Sequence, residues 1–121
     1  LIKKDGVAIF EDPYLGNVIE KTTFDQIYDE HTFLFSATSV KNLFELFDME
    51  LIHLEPLETH GGSMRYFVAN KGERNKSKEV SKYLQKEEEM GLTKPETFDK
   101  FRDDCEDFKK TLFNLLEKIQ V

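Results

Sequence analysis

The sequence has a single cysteine, Cys105, among its 121 residues. One thiol cannot close an internal disulfide or build a cysteine-based zinc site, and it fits a reducing, cytoplasmic setting. Long apolar runs are missing as well. None approaches the roughly 20 residues that span a bilayer, and no secretory signal is visible, so no membrane partner is expected. A basic excess is also absent: 17 Lys and Arg face 24 Asp and Glu, for a net charge of −7. Such a chain has no positive field to draw a phosphate backbone, which argues against nucleic acid as a partner. There is no internal repeat and no low-complexity linker. The first residue is not Met, and Leu1-Ile2-Lys3-Lys4-Asp5-Gly6 reads like the end of a helix and a turn, so truncation is expected.

What is present is bulky apolar surface. Eleven Phe and four Tyr accompany a 34% charged composition. That is enough for one domain with a modest core. Val7-Ala8-Ile9-Phe10 follows an Asp-Gly turn and reads as a buried strand, ended by Glu11-Asp12-Pro13-Tyr14 because proline has no N–H for a ladder. Thr23 and Gln26 have capping-box spacing, and Phe24, Ile27, Tyr28 and His31 fall on one face of a short helix. Ser36 or Thr38 can cap a helix with Val40, Leu43, Phe44 and Phe47 as its stripe. Residues 49–57 and 63–70 read as two strands of a hairpin turned by Gly61-Gly62.

From Lys71-Gly72 onward the chain becomes Lys/Glu-rich and helical. Ser77 can cap a helix to Met90, stopped by Gly91, with Val80, Tyr83, Leu84 and Glu87 near one side. Thr93-Lys94-Pro95-Glu96 restarts a long helix whose Phe98, Phe101, Cys105, Phe108, Leu112, Leu115 and Ile119 form one seam. The Glu87-Glu88-Glu89 run reads as a solvated helix end, and Cys105 as a small core residue.

Two polar motifs carry candidate chemistry. Tyr28, Glu30 and His31 offer a phenol, a carboxylate and an imidazole within one turn. Histidine suits a base that removes a proton beside a ketone, because its free pKa, roughly 6.5, lies near working pH. A phenol can donate to the developing oxyanion, and a carboxylate can fix the imidazole tautomer. The same residues also read as the polar rim of a packed helix. His60-Gly61-Gly62-Ser63 with Arg65 is likewise open to two readings. It is a hairpin turn, or it is a substrate loop in which glycines admit a ligand to the backbone and Arg65 meets a phosphate or carboxylate. His53 reads as a strand residue.

Taken together, Gly6 to Gly16, Phe24 to His31, Phe35-Ser36 and Thr59-His60-Gly61-Gly62-Ser63-Met64-Arg65 resemble the SAM-dependent C-methyltransferases that act on nucleotide-linked keto-deoxysugars. The resemblance runs in one collinear order over nearly the whole chain. It implies that His31 is the base at the carbon beside the keto group. Tyr28 would hold or polarise the substrate, and Glu30 would orient His31. His60, Gly61, Gly62, Ser63 and Arg65 would line the substrate side.

The departures from that family bound the expectation. A cysteine-rich zinc module, the glycine-rich SAM loop and a C-terminal Rossmann-like domain all have no counterpart in this sequence. The expected fold is therefore α/β. It comprises the C-terminal half of a Rossmann-like class I methyltransferase sheet with three mixed strands, over residues 1–72, and an appended helical hairpin over 73–121. The expected function is that of a C-methyltransferase fragment, inactive in isolation, using SAM and a nucleotide-sugar in the full-length enzyme. The alternative is a small non-catalytic interaction protein on the same scaffold. An unpaired strand edge and a long apolar seam predict a homodimer.

Overall fold

The computed structural model describes residues 2–119. Strand β1 (Val7–Pro13) is followed by helix α1 (Leu15–Lys21), a single 3-10 turn at Phe24–Gln26 and helix α2 (Ala37–Glu45). Strand β2 (Met49–Leu57), a second 3-10 turn at Thr59–Gly61 and strand β3 (Ser63–Asn70) complete the sheet, and helices α3 (Lys78–Met90) and α4 (Pro95–Ile119) end the described chain.

The sheet order is β1-β3-β2, with β3 antiparallel to both neighbours. The expected three mixed strands are thus an antiparallel sheet. The hairpin returns β3 against β2, and β1 points the same way as β2, so every ladder in the sheet is antiparallel. A single parallel bridge, Tyr14 to Phe35, lies outside it. As expected, β1 ends within Glu11-Asp12-Pro13-Tyr14. The strand runs to Pro13, which sits opposite Ser63. An edge position tolerates a missing N–H.

Alternation along β3 decides which face is covered. Met64, Tyr66 and Val68 point to one side and are fully buried, whereas Arg65 and Phe67 point to the other. The covered face packs against α2 and α3, forming a core of Tyr14, Val40, Leu51, Leu54, Tyr66 and Val80 with their neighbours. Phe10 stacks on Tyr66 with ring centroids 5.0 Å apart and also meets Phe35 and Phe44. On the open face, Arg65 lies between Glu11 and Glu55, with 3.2 Å to each. Half-exposed pairs of this kind add little stability.

Helix α2 begins as a reciprocal cap. Ser36 Oγ accepts from the Ser39 N–H, and Ser39 Oγ accepts from the Ser36 N–H. Gly91 closes α3 at φ 70°, the left-handed geometry that glycine adopts without steric cost. The side chain of Ser77 makes no cap bond. It is 2.8 Å from His53 Nδ1 in β2 instead.

Three local expectations change. The helix expected over Thr23–His31 is only the turn at Phe24–Gln26: Thr23 makes no side-chain cap bond, and Ile27 and Tyr28 stay exposed rather than buried against the core. Helix α1 was not expected. Its Gly16 lies against the ring of Tyr14, which occupies the space a Cβ would need. Finally, Glu87 is not part of a solvated helix end. It is 1% exposed and turns inward beside Val80 on the packed side of α3.

Glu87 joins three elements. Its Oε1 accepts from the Tyr14 hydroxyl at 3.0 Å and the Ala37 N–H at 2.6 Å. Its Oε2 accepts from the Thr38 N–H at 2.8 Å and the Thr38 hydroxyl at 2.6 Å. A carboxylate on α3 thus satisfies the orphan donors at the start of α2 and complements the positive end of that helix. Burial, with the Glu87 charge added, pushes the Tyr14 phenol far above the usual tyrosine range. Tyr14 therefore stays a donor.

Helix α4 is different. None of its described residues is fully buried. Phe98, Phe108, Leu112, Leu115 and Ile119 of the seam are exposed, and Phe24 touches Phe108 edge-on at 5.5 Å. Cys105 is half-exposed rather than a core residue, since the sheet does not reach α4. Among the described residues, no helix is long and apolar enough to cross a membrane.

Candidate functional site

The end of β1 meets two turns. Pairing of Pro13 with Ser63 brings the hairpin turn to the strand end, and Glu30 and His31 of the segment after α1 lie at the same place. The result is an open cavity of about 440 Å³ lined by Asp12, Glu30, His31, His60 and Ser63, with Glu11 and Pro13 at its wall.

Four of the eight residues singled out in the sequence line this cavity: Glu30, His31, His60 and Ser63. His31 Nδ1 lies 2.9 Å from the Gln26 carbonyl oxygen. A carbonyl only accepts, so Nδ1 carries the hydrogen and the neutral ring keeps its free lone pair on Nε2. The orienting role expected of Glu30 thus falls to the Gln26 backbone. Glu30 is exposed, and no bond joins it to His31 among the described residues. Tyr28 is 48% exposed and packs against the His31 ring at 4.4 Å between centroids, outside the cavity lining.

The hairpin turn is held from outside. Lys21 Nζ donates to the Gly61 carbonyl at 2.7 Å, the Tyr14 N–H donates to the Gly62 carbonyl at 3.2 Å, and Ser63 Oγ donates to the Thr59 carbonyl at 3.2 Å. Gly62 has φ 133°, and a Cβ there would collide with the Asn17 amide. These glycines serve the turn and its contact with α1. His60 adopts the left-handed region at φ 51°, which turns a non-glycine residue out toward the cavity at some cost. Arg65 does not line the cavity. Its guanidinium is occupied by Glu11 and Glu55.

Asp12 is the residue the sequence reading passed over. Its Oδ1 is buried and has no hydrogen-bond partner among the described residues. Burial holds its carboxyl above the usual aspartate range, while the charge of His31 works in the opposite direction. The available signal was its spacing. Asp12 shares the strand face of Ala8 and Phe10, so it points to the covered side of the sheet.

The strand-to-helix turn after β1 holds one glycine, Gly16, and the Tyr14 ring fills the space beside it. Among the described residues, the positive-φ glycines lie at Gly61, Gly62, Gly72 and Gly91, in loops or at a helix end, and none opens a helix directly after a strand. That arrangement is one recurrent phosphate- or ribose-binding device.

The strand-end cavity gathers two imidazoles and three carboxylates on an α/β scaffold. Residues 58–121 match the model of the C-methyltransferase C-terminal domain, and the chain belongs to that family. The match takes in the hairpin turn, β3, α3 and α4. The chain is also 35% identical over 69 residues to the C-methyltransferase NovU of Streptomyces niveus. That stretch is 57% of this chain and 16% of that protein, so the chain corresponds to a small part of its relative.

Proposed function

We propose that this chain is the substrate-side part of a C-methyltransferase that acts on a nucleotide-linked keto-deoxysugar, within a Rossmann-like catalytic core. The observation that supports this reading best is the shared cavity of His31, His60 and Ser63, drawn from segments far apart in sequence. His31 is the base. With Nδ1 tied to the Gln26 carbonyl, Nε2 is free to take the proton from the carbon beside the ketone. The C–H electron pair moves into an enolate, and Tyr28, in contact with the imidazole, donates to its oxygen. His60 and Ser63 hold sugar oxygens, and Gly61 and Gly62 shape the turn. Arg65 has no part in this scheme, since two glutamates already occupy it.

The intact protein, as its gene encodes it, tests this reading. With SAM and a nucleotide-linked keto-deoxysugar it is expected to give a product one methyl group heavier by mass spectrometry, and the free sugar should react far less. Absence of methyl transfer to any keto-sugar nucleotide would refute the assignment.

SAM is the methyl donor proposed for the intact protein, and its site is proposed to lie outside these 121 residues. Calorimetric titration of SAM into the 121-residue chain is therefore expected to show no micromolar binding. Micromolar affinity would mean that these residues do contain a nucleoside cradle.

The chain is also proposed to be a homodimer. One edge of β1 is unpaired in the sheet, and Leu115, Leu116 and Ile119 of α4 are each at least half exposed. Both surfaces favour self-association. Light scattering at micromolar concentration is expected to read twice the chain mass, and a monomer mass would contradict it. The exposed seam equally supports a second reading, in which the chain is a non-catalytic dimerisation module. In that case the dimer forms and no methyl transfer accompanies it.

A further inference from the structure

We propose that Asp12, not Glu30, is the carboxylate that serves His31, acting across the cavity as a positioning residue that stabilises the imidazolium formed when His31 takes a proton. The inference rests on the reading of His31 as the base.

Asp12 carries an unmet hydrogen-bonding group. A buried carboxylate oxygen without a donor is costly, and such a group persists where a partner or a charge arrives during function. Asp12 Oδ1 is the one buried side-chain oxygen or nitrogen without a partner among the described residues. It belongs to a residue that lines the same cavity as His31. Its fixed place in the β1–β3 ladder, opposite the fully buried Met64, holds it there.

The division of labour follows from the bonds already made. The Gln26 carbonyl has taken Nδ1, so the tautomer is set without a carboxylate. What remains is charge. When a proton leaves the substrate carbon for Nε2, the C–H bond breaks, an N–H bond forms and the electron pair enters the enolate. The imidazole then carries a positive charge in a cavity that also holds Glu11, Glu30 and His60, with Lys21 bound to the nearby Gly61 carbonyl. Glu30 is exposed and screened by water, whereas Asp12 is half-buried with its Oδ1 out of solvent, so Asp12 is the less screened of the two. The carboxyl of Asp12 itself feels His31 in this way.

A carbon-detected NMR titration of the Asp12 carboxyl in the 121-residue chain tests the pairing without any turnover. In the native chain the midpoint is expected above the ordinary aspartate value of roughly 3.9. In His31→Asn it should rise further, by about half a unit or more, because the cation that favours the carboxylate is gone. Glu30→Gln should not raise it. An ordinary midpoint in the native chain, or an unchanged midpoint in a folded His31→Asn or His31→Gln variant, overturns the proposal. The base reading fails separately: in that event the intact His31→Asn protein keeps its methyl transfer while the Asp12 midpoint still responds.

Discussion

Replacing Glu87 with alanine is expected to cost the fold about 3–5 kcal/mol, the scale for breaking a buried charged network. The side chain accepts four hydrogen bonds from Tyr14, Ala37 and Thr38 and is 1% exposed. Without it, two N–H groups at the start of α2 and a buried phenol lose their acceptor together. Tyr14 and Ala37 are themselves buried, so bulk water does not reach their donors directly. Domains of this size have only about 5–15 kcal/mol in total, so the variant should be unfolded or close to it at 37 °C. Urea unfolding of the native chain and Glu87→Ala gives the difference directly. A loss below about 1 kcal/mol would show that the α2 start is satisfied by other means. Glu88→Ala and Glu89→Ala, on the exposed side, should change stability by less than about 0.5 kcal/mol.

Replacing His31 with alanine is expected to reduce methyl transfer by the intact protein by about 10²–10⁴-fold, the usual contribution of a positioned general base. The loss should appear in kcat, with KM little changed, since the imidazole is assigned to the moving proton rather than to binding. Stability should hardly move. His31 is half-exposed and makes a single side-chain hydrogen bond, to Gln26. Glu30→Gln should lose less than about tenfold, because Glu30 does not touch the imidazole. If Glu30→Gln and His31→Ala proved equally damaging, the carboxylate next in sequence would be the working partner after all.

The individual strands and the three longer helices were legible because their patterns are local, whereas the place of β3 between the other two strands followed from the family resemblance. Alternation from Ser63 to Asn70, the glycine pair before it, the Ser36 cap and the Pro95 restart each act over a few residues. Helix α1 was not legible. It is seven residues long, contains a glycine, and owes its packing to Tyr14 and Asn17, contacts that only the folded chain makes. Glu87 was legible in part, since its spacing from Val80 and Leu84 placed it on the packed side. Its two neighbouring glutamates disguised it as surface.

The site shows the same division. His31, His60 and Ser63 are recognisable as chemistry-bearing types, but their meeting depends on the β1–β3 register. The part played by the Gln26 carbonyl could not be read at all, because any residue type offers a carbonyl. Asp12 was hidden for a different reason. Before a proline it reads as the polar end of a strand, and only its partnerless oxygen reveals that it faces a cavity.

The most direct test of the account is proton exchange at the carbon beside the ketone. The intact protein is incubated in D₂O with a nucleotide-linked keto-deoxysugar and no methyl donor, and deuterium uptake at that carbon is followed by NMR. Exchange is expected with the native protein and should fall by about 10²-fold or more in His31→Ala. Undiminished exchange in His31→Ala would contradict the assignment of His31 as the base.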